Sequence, residues 1–313
     1  MGYRASLLRF LSGEIKPIFR KQYLREDIGA SIAVAFVAIP LSLAVSLATG
    51  VGAEVGLISA VIGGILGALF GGCRLSVTGP AVAMSVLLAN TMNEFGFAGL
   101  LVAGFVCGVL QIVFGVSKLG RVTKYIPLSL ILAFTAGIGF LLFFEQLPHI
   151  FQLAEPDNNT IGMTVRHAHL YLRHISSAGV LLTVLTIVIL SIVPRYLPRA
   201  YSFVFAVIIP MAIIHFTGIN VNVVGEIPHD LIHPEIIDFS LIHNWHRLLI
   251  TALEVFILAS LETLLSSSAV DLMGKGDLHN PNQELIGQGI ANIGTSIFGG
   301  IPVTGVVARS SVN

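Results

Sequence analysis

Long apolar runs, separated by short polar or glycine-rich breaks, dominate the chain. Ten runs stand out, roughly 28–48, 54–71, 78–92, 96–116, 125–147, 176–193, 201–217, 247–267, 284–298 and 304–313. A helix crossing a bilayer needs about 20 apolar residues. Most runs meet that length; the third, ninth and tenth are short. The third and tenth each follow a copy of one repeated stretch. The copies are FGGCRLSVTGPAVAMSV, from Phe70 to Val86, and FGGIPVTGVVARSSVN, from Phe298 to Asn313. Both pass from Phe-Gly-Gly through Val-Thr-Gly into apolar sequence. Threonine before glycine at the mouth of an apolar run predicts a helix N-terminus, and Pro80 strengthens the first copy. The two breaks predict discontinuous helices whose N-termini form a polar site within the membrane.

Composition turns this pattern into a class. Of 313 residues, 55% are hydrophobic and 11% charged, and mean hydropathy is +0.88. A soluble domain carries roughly a quarter charged residues. The formal net charge of zero gives no basic surface for nucleic acid. Cys73 and Cys107 are too few for a disulfide framework and read as packing residues.

Charge distribution then orients the runs. Residues 1–27 form a cytoplasmic arm bearing Arg4, Arg9, Lys16, Arg20, Lys21 and Arg25, without a signal-peptide cleavage pattern. With that arm inside and the runs alternating, inner segments also collect Arg74, Lys118, Arg121, Lys124, Arg195, Arg199 and Lys275. Outer segments hold Arg166, Arg173 and Arg247, so the bias is thirteen to three. The outer loops 148–175 and 218–246 carry Glu155, Asp157, Glu226, Asp230, Glu235, Asp238 and most of the histidines. The third run then travels outward and the tenth inward, so their N-termini can meet near mid-membrane. An inverted repeat produces that arrangement, with runs one to seven in the first copy and eight onward in the second.

Three features carry candidate chemistry. Two facing helix N-termini attract an anion through unpaired N–H groups and partial positive charge; the alternative is two glycine kinks in packed helices. Arg309 stands five residues after Thr304, where the first copy has Ala83. A membrane-depth arginine is costly, and its planar fork suits carboxylate, carbonate or sulfate; the alternative is an arginine snorkelling to the interface. Glu262 is an intramembrane carboxylate with Ser266 on the same helical face and Thr263 and Ser267 beside it. It can take up a proton or help ligate Na⁺, or act as a hydrogen-bonded structural acid. Glu254 and Glu145 read as interfacial. Gly104 and Gly108 predict close helix packing. His167 with His169, and His243 with His246, read as loop histidines, and Asn158-Asn159-Thr160 is a formal glycosylation triplet. No nucleophile elbow, P-loop or zinc-protease motif is present, so the chain reads as a non-enzyme without an organic cofactor or a dedicated metal site.

These residues resemble the SulP group of anion transporters: the sulfate permeases and their bacterial bicarbonate and dicarboxylate relatives. The resemblance runs from Leu24 to Asn313. It is carried by YLREDIGASIAVAFVAIPLSLAVSLATGV, FGGCRLSVTGPAVA, KYIPLSLILAFTAGIG, LASLETLLSSSAVDLMGKGDLHNPNQELIGQGIANI and FGGIPVTGVVARSSVN. It implies an all-α polytopic fold of fourteen segments in two inverted seven-segment repeats, similar also to uracil permeases. A core, here segments 1–4 and 8–10 of the transmembrane domain 28–313, would carry an anion against a gate, here segments 5–7. By position, Thr78, Gly79, Pro80 and Ala81 match half of the anion site, and Thr304, Gly305, Ala308 and Arg309 the other half. Leu41 and Val45 match pocket-lining positions; Glu262 and Ser266 match a cation-coupling site. Glutamate at 262, where the sodium-dependent bicarbonate branch carries aspartate, favours H⁺ over Na⁺ as the coupling ion. Leu41 and Ala81 are apolar where some relatives are polar or aromatic, so the choice of anion does not transfer.

The expectation is a secondary transporter of sulfate, bicarbonate or dicarboxylate, by symport or exchange. It would sit in the bacterial inner membrane with its N-terminus cytoplasmic, and full-length members of the family would be homodimers. Since the sequence stops as segment ten begins, before the remaining segments and the cytoplasmic STAS domain many members add, the chain reads as a truncated fragment that does not transport alone. Its unpartnered surfaces, Arg309 included, would face lipid. The alternatives are a structural or regulatory membrane fragment, or a nucleobase permease of similar fold; a buried arginine argues against the latter.

Overall fold

A computed structural model describes residues 21–121, 127–152, 176–197, 199–219, 221, 244–273 and 278–312. The arm up to Arg20, Lys124, Lys275, the histidines at 167, 169 and 243, the glycosylation triplet, Arg166 and Arg173 lie outside the described residues. Nine α-helices and two short strands follow in order among the described residues. They are α1 Lys21–Ala48, α2 Ala53–Phe70, β1 Thr78–Gly79, α3 Val82–Val116, α4 Leu128–Phe151, α5 Ser177–Ile192, α6 Arg199–Thr217, α7 Trp245–Met273, α8 Pro281–Ile297, β2 Thr304–Gly305 and α9 Val307–Ser310.

The apolar runs reappear as helices with two differences. The third and fourth runs form one element, α3, broken at Gly96, where φ +68 and ψ −174 leave helical space. Glycine supplies that positive φ without a Cβ penalty. The tenth run contributes a single helical turn, α9. Among the described residues five helices are long and apolar enough to cross a membrane: Ile28–Ala48, Ala53–Phe70, Val82–Val116, Ser177–Arg195 and Trp245–Met273. Their outward faces carry large apolar side chains, among them Ile65, Val113, Leu181, Ile187 and Leu249. A soluble protein rarely exposes so much contiguous apolar surface, and lipid is the solvent that accepts it.

α8 lies against α2 and α3, α7 against α3, and α1 against α2 and α6, while α5 packs between α4 and α6. α8 and α3 approach closely because glycines face each other. A Cβ on Gly108 would meet the Gly289 carbonyl at 2.6 Å, and one on Gly289 would meet the Gly108 carbonyl at 2.5 Å. The helix-packing reading of Gly104 and Gly108 thus has a specific partner in α8. Val45, Leu88, Leu100, Cys107, Val255 and Ile301 share the main apolar cluster. Cys107 is wholly buried there, and both cysteines are free thiols.

Candidate functional site

The two Thr-Gly pairs lie side by side. β1 and β2 pair antiparallel, Thr78 opposite Gly305 and Gly79 opposite Thr304, which makes a local two-fold. Just outside the pair, the Val306 N–H donates to the Val77 carbonyl (3.0 Å) and the Val77 N–H to Ser310 Oγ (2.9 Å). The extended backbone at membrane depth is therefore satisfied within the protein, the condition on which non-helical chain survives there.

Neither threonine caps a helix. The N-cap of α3 is Ala81 and that of α9 is Val306; both are extended and neither offers a side-chain acceptor. Pro80 precedes the cap instead of occupying the first turn. This corrects the reading of Thr78 and Thr304 as caps. The reason is the strand pairing, which holds each threonine in extended backbone two or three residues too early. The Thr78 hydroxyl accepts from Gln288 Nε2 at 2.7 Å and lies against Gly67 of α2. The Thr304 hydroxyl is buried beside the Glu262 carboxylate.

Arg309 is 0% exposed, which corrects both the snorkelling alternative and the expectation that it faces lipid. Its guanidinium packs against Gly79 with Nη1 foremost, so close that a Cβ there would lie 1.9 Å from it. Nη2 donates to the Pro80 carbonyl at 2.9 Å, while Nε and Nη1 have no partner among the described residues. Glu262, 2% exposed, is the charge that acts on it electrostatically, and Glu262 Oε2 is likewise unpartnered. Ser266 and Ser267 are buried nearby on α7 with unpartnered hydroxyls. Thr263 accepts the Gly305 N–H at 3.1 Å.

A cavity of about 10 Å³ sits at this junction, lined by Leu41, Val82, Ala83, Glu262, Val306, Val307 and Ala308. That is room for about one water. Of the residues singled out in the sequence, Leu41, Ala308 and Glu262 line it. Thr78, Gly79, Pro80, Thr304, Gly305 and Arg309 form the structure beside it, Ala81 begins α3, and Ser266 is one turn from Glu262. Val45 is buried in the apolar cluster and does not line the cavity. No group of three or more His, Cys, Asp or Glu capable of holding a metal occurs among the described residues.

Sequence reasoning missed the polar face of α8. Glu284 Oε2 accepts the Gly72 and Cys73 N–H groups at 2.7 and 2.9 Å. Asn292 clamps Val303, accepting its N–H at 2.7 Å and donating to its carbonyl at 3.0 Å. The signal was present: Glu284, Gln288 and Asn292 recur every four residues in an otherwise apolar run.

A profile of the sulfate permease family matches residues 24–313. The chain belongs to that family. It is 35% identical to the putative sulfate transporter YvdB of Bacillus subtilis, over 98% of this chain and 58% of the relative. It is 30% identical to the bicarbonate transporter BicA of Picosynechococcus, over 93% of this chain and 53% of the relative. The chain thus spans a little more than half the length of these curated relatives. Among solved structures, the transmembrane domain of a cyanobacterial bicarbonate transporter BicA matches with TM-score 0.77 and 28% identity, over 94% of this chain and 77% of that one. The murine Solute Carrier 26 family member A9 anion transporter matches in fold, with TM-score 0.78 and 20% identity over 99% of this chain and 56% of that one. The chain is an integral multi-pass membrane protein of an anion-transporter family whose named members are transporters, not enzymes. This family match displaces the nucleobase-permease alternative.

Proposed function

We propose that this chain carries the substrate site of a secondary transporter for small oxyanions such as sulfate, bicarbonate or a dicarboxylate. The observation that carries the reading is Arg309, wholly buried beside the paired strands with Nε and Nη1 unpartnered. Buried donors are normally satisfied, and a buried cation with two of its three nitrogens open supplies positive potential for an anion. The α3 N-terminus adds to it, since no side chain caps its first N–H groups. Arg309 does not line the cavity, so it acts through charge across the Gly79–Pro80 backbone.

Glu262 provides the coupling. Ionised, it cancels the charge of Arg309; protonated or paired with Na⁺, it leaves that charge to the anion. Anion and cation therefore bind together, which is the requirement for symport, and a proton serves as the coupling ion. The cavity admits one water, so loading requires the wall formed by Leu41 of α1 to draw back from α3 and α9. The charge bias supports an N-terminus on the cytoplasmic side of a bacterial inner membrane, and the assembly is a homodimer.

The test is equilibrium binding of radiolabelled sulfate, bicarbonate and succinate to the chain in nanodiscs, with uptake into proteoliposomes under an imposed pH gradient. Saturable binding of one anion, tightened by lowering pH, supports the reading. Binding of none of the three overturns it.

A further inference from the structure

The polar face of α8 touches both halves of the strand pair, and neither the coupling nor the charge argument uses it. Its three side chains are one helical turn apart and each faces a different point of the two lead-in segments. Glu284 holds the first at Gly72 and Cys73. Gln288 holds it again at Thr78, and its Nε2 also donates to Glu284 Oε1 at 3.2 Å. Asn292 holds the second at Val303 through both the N–H and the carbonyl. All three side chains are buried.

The orientation of this ladder is fixed by chemistry. A carboxylate only accepts, so Glu284 turns the Gln288 amide to present Nε2 to it and to Thr78. A single carboxamide can accept from the N–H and donate to the carbonyl of one extended residue, which is how Asn292 meets Val303. Asn292 Nδ2 also donates to Gln111 Oε1 of α3 at 2.9 Å, and Gln111 Nε2 reaches Ser260 Oγ of α7 at 3.4 Å. α8 is thereby tied to α3 and, through Gln111, to α7.

We infer that Gln288 and Asn292 are positioning residues that set the two Thr-Gly strands in register, so that the two half-sites move as one body. The ladder itself is independent of what the site binds, while its effect on anion affinity rests on the transport reading.

Hydrogen exchange measured by mass spectrometry on the nanodisc-embedded chain separates this from general stabilisation. Asn292→Ala touches only the second lead-in, yet exchange should quicken at least tenfold in peptides spanning 70–81 as well as 298–312. Gln288→Ala touches only the first and should quicken both likewise. Ile189→Ala, a core truncation on α5, is the control and should leave both peptides unchanged relative to the rest of the chain. Acceleration confined to the lead-in each side chain touches, or matched by the control, overturns the proposal. Sulfate affinity measured on the same samples should fall at least tenfold for Gln288→Ala and Asn292→Ala, and by less than twofold for the control. If the parent chain binds no sulfate, bicarbonate or succinate, the transport reading fails, and hydrogen exchange still decides the ladder. Should Asn292→Ala not fold, Asn292→Asp keeps the acceptor for the Val303 N–H, loses the donor, and is expected to show the same two-peptide pattern more weakly.

Discussion

The two lead-ins share the Phe-Gly-Gly and Val-Thr-Gly sequence and the same paired backbone, yet they differ in burial and in charge. The first, from Phe70 to Gly79, is half-exposed until Thr78, and two of its residues, Arg74 and Leu75, are open to solvent. It is anchored by side chains from outside: Glu284, Gln283, which donates to the Phe70 carbonyl at 2.7 Å, and Gln288. The second is buried from Gly299 to Val307. It too is held at its backbone by side chains from elsewhere, Ser59 at Ile301, Asn292 at Val303 and Thr263 at Gly305. Chemistry divides the same way. The first half supplies only uncharged groups, with Ala83 where the second has Arg309. A repeated backbone frame thus places the charge on the half that is buried throughout, where low polarity makes it act strongly.

Removing that charge is the harshest test of the asymmetry. Arg309→Ala should weaken anion binding ~10- to 100-fold, the range expected when a charged partner worth about 1.5–3 kcal/mol is lost. It should also destabilise the chain by about 3–5 kcal/mol, because Glu262 is left as an uncompensated buried charge. The measurements are sulfate binding and thermal unfolding in nanodiscs. Arg309→Ala/Glu262→Gln should recover much of the stability and none of the affinity. If single and double variants unfold alike, the two groups do not compensate each other.

The glycines of the two strands offer a finer comparison. A Cβ on Gly79 falls 1.9 Å from Arg309 Nη1, whereas one on Gly305 falls 2.8 Å from Ser76 Oγ, the end of a short side chain that can rotate. Gly79→Ala should therefore displace the guanidinium and cost ~10-fold in anion affinity. Gly305→Ala should cost less than ~3-fold, about 0.6 kcal/mol. Equal effects would mean that the halves contribute equally and that the position of Arg309 is incidental.

Glu262→Gln comes next in size. It removes the charge that opposes Arg309, so binding should stay within ~3-fold of the parent at low pH and lose its dependence on pH and Na⁺. Uptake under a pH gradient should fall to the level seen without one. Persisting pH dependence would move the coupling group elsewhere on the chain.

Membrane class, helix order, the two broken runs, Arg309 and Glu262 could all be read from the chain, because each departs locally from an apolar background. Side-chain direction could not. Thr78 sits at a helix mouth in sequence and looks like a cap, but pairing with Gly305 turns it into strand, and its hydroxyl goes to Gln288. Val45 matches a pocket-lining position only through the family resemblance, and packing places it in the apolar cluster. The α8 ladder repeats every four residues, but which backbone atoms it reaches depends on α2 and α8 approaching across more than 200 residues of sequence.

The smallest expected effect bears on the exposed lead-in and reads the charge of its anchor. Burial, and then the Glu284 carboxylate, push the Cys73 thiol up to about 11. At pH 8 little thiolate is present, so maleimide should react slowly at Cys73, and not at all at Cys107, which is wholly buried. A nearby negative charge raises a thiol's pKa because it opposes formation of the thiolate. Glu284→Gln removes that charge while leaving an oxygen to accept the Gly72 and Cys73 N–H groups, so the thiol pKa should drop. Each unit of drop means about tenfold more thiolate. Burial is the larger cause and remains, so labelling in a Cys107→Ala background should quicken only a few-fold at pH 8, with the curve of rate against pH displaced to lower pH. A curve that keeps its position would mean that Glu284 is uncharged, and the ladder would lose the acceptor that orients Gln288. An equal gain for Gln288→Ala, which leaves the carboxylate in place, would assign the change to loosening of the lead-in and not to charge.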